Sequence, residues 1–428
     1  MTCKNDFNNT ASLTCSISIQ KFNKMELKKY KLGECLELQR GYDLTSSQMQ
    51  GGEVAVVGSN GIIGYHNVER GNSPCITVGR SGSVGKVHYY DQPTWAHNTA
   101  LFIKDFKGNE PKYLYYFLQN LHLDKMLEKG SSVVPSLDRK VVHSLVVPFH
   151  KNINDQRKIV SVLSALDAKI ELNKQINDNL EAMAKQLYDY WFVQFDFPNE
   201  EGKPYKSSGG AMVWNEKLKR EIPQGWNDCV LGDYIGRITN GLNPRKNFVL
   251  GSGTNYYVTI RSLVGTTINW NNCDRCDDEA LEKINSRSQL QIGDVIFSAI
   301  GTIGRTYYIL EEPTNWNISE TSFTLRAKDE VPKDFFYGML RSNEIQTKAD
   351  KAAMGSTLRC LVMDSLCSLQ YIKIPVNMMK SFSAKVSPLY MQIHKNNKEI
   401  AELTKLRDEL LPLLMNGQAT VNYHLSDD

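Results

Sequence analysis

The sequence of this chain repeats itself, and this internal duplication constrains its fold more than any other feature. A Gly-Ser-Val-Gly-Lys motif at residues 82–86 recurs as Gly-Thr-Ile-Gly-Arg at residues 301–305. Further short matches, each weak alone, follow the same order in both halves: Leu32-Gly33 with Leu231-Gly232, Gly130-Ser131-Ser132 with Gly355-Ser356-Thr357, Val147-Pro148 with Ile374-Pro375, and Ile170 and Asn173 with Ile393 and Asn396. The shared order predicts two copies of one structural unit.

The two copies differ in length mainly in one zone. Matched residues are 199 positions apart at Gly33 and Gly232 and 219 positions apart at Gly82 and Gly301, and the separation then stays between 223 and 227. The zone that ends at Gly301 is therefore about 20 residues longer than its counterpart. Because variable segments on a shared scaffold usually carry binding preference, this zone is the candidate for a recognition element. Neutral variation in loop length is the alternative.

Composition excludes several classes of protein. The 428 residues include 50 Lys and Arg against 47 Asp and Glu, which argues against a histone-like or arm-like DNA binder and leaves local basic surfaces open. No run of about 18 apolar residues occurs, which argues against a membrane channel. The N-terminus has neither a basic start nor an apolar run, so it predicts a polar tail rather than a secretory signal. The nine scattered cysteines then predict reduced thiols in a cytoplasmic protein.

Each copy begins with a segment that predicts a globular α+β domain. Short β-branched runs bounded by Gly or Pro predict strands, and recurring aromatic residues predict helices at 112–120 and 333–342. The strands are predicted at 53–57, 144–147, 293–297 and 369–372. The predicted domain order is a polar tail at 1–28, a first domain at 29–150, a long helix at 151–195, a connector rich in turn residues at 196–225, a second domain at 226–380, a second long helix at 381–417 and a tail at 418–428.

The long helix that ends each copy, over residues 154–192 and 383–416, carries apolar residues at heptad spacing. At 1.5 Å per residue, each helix is roughly 50 Å long. The heptad positions form a predicted helix-pair seam, which includes Ile170, Asn173, Asn177, Leu180, Met183 and Leu187 in the first helix and Ile393, Asn396, Ile400, Leu403 and Leu410 in the second.

The two seams predict that the helices pair as an antiparallel coiled coil, so that the fold has a pseudo-twofold internal repeat. A buried Asn in such a seam usually fixes the register of the partner helices. Packing of each helix on its own domain is the alternative. Apolar side chains beside the seam predict a surface that a partner helix would cover, or else further packing within the chain: Leu172, Ile176, Tyr188, Trp191 and Phe192.

This organisation resembles the specificity (S) subunit of Type I restriction–modification systems over nearly the whole chain. The resemblance lies in a doubled order of short features, which are the glycine turn at 58–65, the glycine motifs at 82–86 and 301–305, Pro148 followed by the Asp-Gln-Arg-Lys-Ile run at 155–159, and the long helix that ends each half. Neither the first glycine turn nor the Gln-Arg-Lys-Ile run has a clear second copy, which leaves open whether both domains approach DNA in the same way.

The resemblance implies that each globular domain is a target recognition domain for one half of a split, asymmetric site in double-stranded DNA. It implies that the coiled coil sets the unread spacing and docks methyltransferase (M) subunits. The chain itself would be non-catalytic and without a cofactor, because S-adenosylmethionine, ATP and magnesium are expected on the methyltransferase subunits and on any restriction (R) subunits. No membrane partner is expected. A coiled-coil scaffold protein that binds no DNA is the alternative function.

Candidate DNA contacts lie in the Gly-rich and Asn-rich loops of the two domains. The glycine motifs can bring backbone N–H groups and a cation close to a phosphate. Arginine can pair with guanine and asparagine with the edge of adenine. The candidates are Arg80, Lys86, Asn60, Asn98, Arg245, Lys246, Arg261 and Arg305. Solvated surface charge, or a turn residue that serves the backbone, is the alternative for each.

No motif in the sequence predicts catalysis or metal binding. Cys273 and Cys276 form one C-x-x-C pair, and no second pair or neighbouring His completes a zinc site. Asn243-Pro244 is not followed by the proline and aromatic residue that hold a target adenine in methyltransferases. A nuclease with an unrecognised site would need a cluster of carboxylates, which the spacing does not provide. Trp95 and Trp316 are predicted to be core residues.

Overall fold

The computed structural model describes residues 27–126, 136–245, 247–419 and 421. The predicted polar tail up to residue 26, the Gly130-Ser131-Ser132 match and Lys246 lie outside the described residues.

The chain forms two compact units. Unit 1 comprises residues 1–170 and 401–428, and unit 2 comprises residues 171–400. Each unit thus combines an α+β part with portions of both long helices. The domain boundaries proposed from the sequence stay a prediction.

Unit 1 contains the first predicted α+β domain. Its elements are β1 (Leu27–Lys31), α1 (Leu32–Cys35), β2 (Glu37–Arg40), β3 (Val54–Gly58), β4 (Gly61–His66), β5 (Cys75–Gly79), β6 (Val87–Tyr90), β7 (Thr94–Ala96), β8 (Ala100–Asp105), α2 (Pro111–Asn120), α3 (Arg139–Ser144), β9 (Val146–His150) and the first part of α4 (Ile153–Tyr188).

The strands of unit 1 form three small sheets. β1 pairs with β9, and a four-stranded antiparallel sheet has the order β2-β8-β5-β6. The third sheet has the order β4-β3-β7, in which β3 is antiparallel to β4 and parallel to β7. The apolar strand β5 is buried at every position because it lies inside the four-stranded sheet. The buried face of α2, with Tyr113, Leu114 and Phe117, belongs to the same hydrophobic core.

Unit 2 contains the second predicted domain and the connector. Its elements are β10 (Met212–Asn215), β11 (Arg220–Pro223), β12 (Asn227–Val230), β13 (Ile235–Asn240), β14 (Asn255–Val258), β15 (Leu263–Val264), β16 (Thr267–Ile268), β17 (Asp274–Cys276), α5 (Asp278–Arg287), β18 (Val295–Ser298), β19 (Thr306–Tyr308), β20 (Trp316–Ile318), β21 (Ser322–Ala327), α6 (Lys333–Arg341), α7 (Asn343–Ala352), α8 (Met363–Cys367), β22 (Gln370–Lys373) and the first part of α9 (Val376–Met415).

The sheets of unit 2 repeat those of unit 1 strand for strand. The pair β12–β22 corresponds to β1–β9, the sheet β13-β21-β18-β19 to β2-β8-β5-β6, and the sheet β17-β14-β20 to β4-β3-β7. The central strand β14 is likewise antiparallel to β17 and parallel to β20. The hairpins β10–β11 and β15–β16 are additions within unit 2. The predicted α+β class and the internal duplication are therefore confirmed.

The hydrogen bonds of the two units locate the length difference. The backbone N–H of His97 donates to the carbonyl of Val57, and the N–H of Ser319 donates to the carbonyl of Val258, so the two valines correspond at a separation of 201 positions. At the glycine motifs the separation is 219, so the second copy gains 18 residues between these points. Much of this gain replaces the two-residue turn between β3 and β4. We call residues 259–273, which contain the β15–β16 hairpin, the insertion.

Portions of the two long helices pair antiparallel within each unit. In unit 2, Asn177 Nδ2 donates to Asn397 Oδ1 and Asn396 Nδ2 donates to Asn177 Oδ1, both at 2.8 Å. In unit 1, Arg407 Nη1 donates to Asp167 Oδ1 at 2.9 Å. The seam residues Ile170, Asn173, Asn177, Ile393, Asn396 and Leu410 are buried, and Leu180, Leu187, Ile400 and Leu403 are half-buried.

The structure corrects two details of the predicted helices. The second helix begins at Val376, not near residue 383, because Phe382 packs into the core of unit 2 as part of the helix. The side chain of Met183 is 53% exposed, whereas Ala184 is buried. A strict heptad from Asn177 reaches residue 184, so the apolar character of Met183 was misleading.

Three of the side chains predicted to await a partner helix instead lie in the core of unit 2. Tyr188, Trp191 and Phe192 are buried together with Phe335 and Phe382. The ring centroids of Phe192 and Phe382 are 5.2 Å apart. Their exposure was therefore wrongly predicted, since long-range packing closes over the end of the helix. In the described part of the chain, no helix combines the length and apolar character that crossing a membrane requires.

Candidate nucleic-acid interface

In unit 1 the parallel pairing of β3 with β7 brings two loops to one edge, because the carboxyl ends of parallel strands lie on the same side of a sheet. The N–H of Ser59, after β3, donates to Thr99 Oγ1, after β7, at 3.2 Å. The N–H of Arg80, after β5, donates to the carbonyl of Thr99 at 2.9 Å. The glycine motif therefore joins the same edge. We call residues 58–61, 79–86 and 97–99 the loop edge of unit 1.

The glycine motif of unit 1 is a tight turn that larger residues would disrupt. A Cβ on Gly79 would lie 2.0 Å from the carbonyl oxygen of Ser83. Gly82 and Gly85 have φ angles of +80° and +79°, which favour glycine. The turn presents the exposed Lys86 at its end.

The cation of this turn contacts the loop after β3. Lys86 Nζ donates to Asn60 Oδ1 at 2.6 Å, and Ser83 Oγ donates to the same oxygen at 3.2 Å. Asn60 is itself exposed, so two of the candidate residues form one polar cluster on the surface. The structure thus brings together Asn60 and Lys86, which are 26 residues apart in the sequence.

Unit 2 builds an equivalent edge with a different contact. Arg305, which ends the second glycine motif, donates from Nη1 to the carbonyls of Ile260 and Leu263, both at 3.2 Å. Both carbonyls belong to the insertion, and the exposed Arg261 lies between them. The N–H of Ala299 donates to the carbonyl of Thr321 at 2.9 Å. We call residues 259–273, 298–305 and 319–321 the loop edge of unit 2.

Equivalent positions of the two edges carry different side chains. Arg80 and Ala299 correspond, because their N–H groups make the same backbone hydrogen bond to a threonine after the parallel strand. Asn60 lies in the turn between β3 and β4, and Arg261 lies in the insertion that replaces this turn. The shared scaffold therefore presents two unlike surfaces.

Sequence reasoning missed Glu320, which corresponds to Asn98. Each residue directly precedes the threonine that follows the parallel strand, and this shared Thr was the available signal. Asn98 Nδ2 donates to Asp43 Oδ1 in unit 1. Glu320 accepts from Asn243 Nδ2 at 2.7 Å and from the Tyr257 hydroxyl at 2.8 Å. Burial, and then the Glu320 carboxylate, raises the pKa of Tyr257 above its usual value, so that hydroxyl stays a proton donor.

The loop that carries Arg245 is attached to the edge of unit 2 through Asn243. The side chain of Arg245 is exposed. Two positions earlier in the chain, Asn243 Nδ2 donates a hydrogen bond to Glu320 Oε1. Of the residues predicted to contact DNA in the second copy, the structure therefore associates Arg245, Arg261 and Arg305 with one edge.

Both edges present hydrogen-bond donors and cations. In the described residues, no three side chains of His, Cys, Asp or Glu lie close enough to hold a metal ion. Trp95 in β7 and Trp316 in β20 are buried, as predicted for core residues. At the β3–β4 turn of unit 1, a ring carbon of His88 lies 3.8 Å from the position that a Cβ on Gly61 would take, and burial lowers the pKa of His88. Donors and cations of this kind can contact the phosphates and the base edges of DNA.

Comparisons with known proteins agree with this geometry. A family model described as the Type I restriction modification DNA specificity domain matches residues 24–182. The MjaIX specificity subunit of the Type I restriction enzyme from Methanocaldococcus jannaschii is 28% identical over 320 residues, which cover 73% of this chain and 70% of that protein. The HindI specificity subunit from Haemophilus influenzae is 24% identical over 364 residues, which cover 72% of this chain and 77% of that protein.

A solved structure supports the fold. The S subunit of a Type-I restriction-modification system from M. genitalium superposes with a TM-score of 0.57 at 17% sequence identity, and the match covers 92% of this chain and 98% of that one. The match shows that the two proteins share a fold. Residues 24–182 thus match the Type I specificity domain, and the chain is similar over most of its length to specificity (S) subunits of Type I restriction enzymes, as the sequence resemblance implied.

Proposed function

We propose that this chain is the DNA-binding specificity subunit of a Type I restriction–modification complex, in which each unit recognises one half of a bipartite, asymmetric site. The observation that carries the proposal is that one loop edge is built twice with different side chains at equivalent positions. The names of the related specificity subunits support it.

The unlike side chains favour two different half-sites. Asn60 in unit 1 has the donor and acceptor that match adenine, whereas Arg261, in the insertion that replaces the turn of Asn60, matches guanine O6 and N7. The counterpart of Arg80 in unit 2 is Ala299, so the positive charge of Arg80 has no equivalent at that position of unit 2. Each contact that distinguishes bases contributes about 1–3 kcal/mol of discrimination. A palindromic target is therefore not expected.

The long helices would set the unread spacing between the half-sites. α4 has 36 residues and α9 has 40, so each is on the order of 55–60 Å long. The bonds of Asn177 to Asn396 and Asn397 favour one register of the helix pair. A fixed register gives a fixed spacing.

Partner subunits would supply the chemistry. Leu172, Ile176 and Met183 stay 50%, 37% and 53% exposed on α4, and they offer an apolar surface on which a methyltransferase subunit can dock. S-adenosylmethionine would bind the methyltransferase, and ATP and magnesium a restriction subunit if the system has one. The chain itself would position these partners and catalyse no step.

Methylome sequencing of cells that express the chain with its methyltransferase subunit tests the proposal. The expected result is methylation at a split site whose two defined words differ and are separated by a constant number of unspecified base pairs. A continuous or symmetric site would contradict two unlike recognition units. Absence of salt-dependent binding to any double-stranded DNA would favour the scaffold alternative.

A further inference from the structure

The insertion occupies the place at which unit 1 has a two-residue turn. In unit 1, Ser59 and Asn60 connect β3 directly to β4. In unit 2, residues 259–273 separate β14 from β17, which is the strand equivalent to β4. This structural difference between the copies thus lies at the point where the candidate DNA contacts converge.

Arg305 and Lys86 hold equivalent positions but make different contacts. Lys86 donates to one exposed side chain, that of Asn60. Arg305 donates to two backbone carbonyls, those of Ile260 and Leu263, from a single nitrogen. The two carbonyls flank Arg261, so the guanidinium of Arg305 fixes the backbone on both sides of it.

Further bonds hold the insertion at its base and tip. Ser262 is fully buried, its Oγ donates to the carbonyl of Asn272 at 3.0 Å, and its own carbonyl accepts from the N–H of Asn269 at 2.7 Å. At the tip of the β15–β16 hairpin, Asn397 Nδ2 donates to Thr266 Oγ1 at 3.3 Å. The insertion therefore has a defined conformation although it is long.

The two faces of the insertion differ in character. Leu263 and Ile268 are buried in a hydrophobic cluster with Trp316. Arg261 is exposed, and Val264 is 54% exposed. A preorganised loop loses little backbone conformational entropy on binding, which favours a specific contact by the Arg261 side chain that it carries. Its planar fork matches the O6 and N7 atoms of guanine.

We propose that Arg305 is a positioning residue that holds the insertion in one conformation, and that the insertion, through Arg261, selects a guanine in the half-site bound by unit 2. This inference rests on the proposed function. It assigns different roles to the cations of the two glycine motifs: Lys86 remains available for a phosphate, whereas Arg305 acts through Arg261.

The test selects a randomised double-stranded DNA library with the full chain, purified together with the methyltransferase subunit of its own system. The variants are Arg261→Ala, Arg305→Ala and Arg305→Lys, and Lys86→Ala is the matched variant in unit 1. Thermal melting of each variant checks that it folds. Arg305→Lys keeps the charge but replaces the rigid guanidinium, whose Nη1 donates to both carbonyls, with an ammonium on a flexible stem.

Arg261→Ala is expected to reduce the preference for guanine at one position of one half-site on the order of 10-fold to 100-fold, with the other half-site unchanged. Both Arg305 variants should weaken the same preference, although Arg305 touches no base. Lys86→Ala should keep the sequence preference in the half-site bound by unit 2 and lower the slope of log affinity against log salt by about 1.

Two results would overturn the inference. One is an unchanged base preference in Arg261→Ala. The other is a wild-type preference in Arg305→Lys, with only a reduced salt slope in Arg305→Ala, because that pattern marks a phosphate contact. If the wild-type complex enriches no split sequence, the proposed function itself fails. If the wild-type complex enriches a split DNA sequence and these variants enrich the same DNA sequence, the inference fails and the proposed function stands.

Discussion

Replacing Asn177 with Ala should destabilise the pairing of α4 with α9 in unit 2. Asn177 is only 5% exposed, and its side-chain amide both donates to Asn397 and accepts from Asn396. Two hydrogen bonds of about 1 kcal/mol each are lost. The amide of Asn396, which is 4% exposed, is left without this acceptor, which costs roughly 1–2 kcal/mol more.

Two effects reduce this cost. Ala has a higher helix propensity than Asn by about 0.5 kcal/mol. The side chain of Asn397 is partly exposed, so water can replace its lost partner. The expected net loss is about 2–3 kcal/mol. The exposed Asn179, two residues further along the same helix, supplies the control, because Asn179→Ala changes helix propensity without removing these bonds.

Hydrogen–deuterium exchange of the full chain measures the effect locally, which suits a protein of two units better than a single unfolding midpoint. A loss of 2 kcal/mol corresponds to about 30-fold faster exchange of amides in residues 171–188 and 390–400. Exchange in Asn177→Ala that matches Asn179→Ala within about threefold would refute the argument that the buried amides stabilise the pair.

Three further predictions concern packing, the glycine turn and pH. Phe382→Ala should destabilise unit 2 by about 3–5 kcal/mol in urea unfolding, because a fully buried ring leaves a cavity, and a loss under 1 kcal/mol would contradict this. Gly79→Ala should weaken DNA binding, because its Cβ would lie 2.0 Å from the carbonyl oxygen of Ser83, and unchanged affinity in a DNA titration would show that the turn adapts. Burial lowers the pKa of His150 from 6.5, so the folded state binds its proton less readily than the unfolded state, and the stability that this residue contributes is complete above pH 6.5 and falls as the pH drops below it. His150→Gln should flatten the dependence of unfolding free energy on pH below pH 6.5, and an unchanged pH dependence in this variant would contradict the argument.

Local patterns in the sequence accounted for the scaffold. The glycine motifs required tight turns, and the structure places positive φ angles at Gly82 and Gly301. The heptad pattern indicated two long helices, and the matched order of motifs indicated the duplication. These features depend on residues a few positions apart, whose spacing directly fixes the backbone conformation or the face of an element.

The details of the loop edges could not be obtained in this way. The threonine that follows both Asn98 and Glu320 was not a sufficient signal, because the relation of these two residues depends on which strands pair in parallel. The motif position suggested a phosphate contact for Arg305, whereas the structure directs its guanidinium to two carbonyls of the insertion. Contacts across 40 or more residues depend on how the sheets assemble.

The amino-acid order alone determined that this chain is a duplicated α+β protein with paired long helices and two unequal recognition segments. Only the tertiary structure decided that Tyr188, Trp191 and Phe192 belong to a core and that Arg261 lies between two anchored carbonyls. The reason is physical: periodicity fixes which side chains share a face, but the burial of that face depends on surfaces that distant parts of the chain supply.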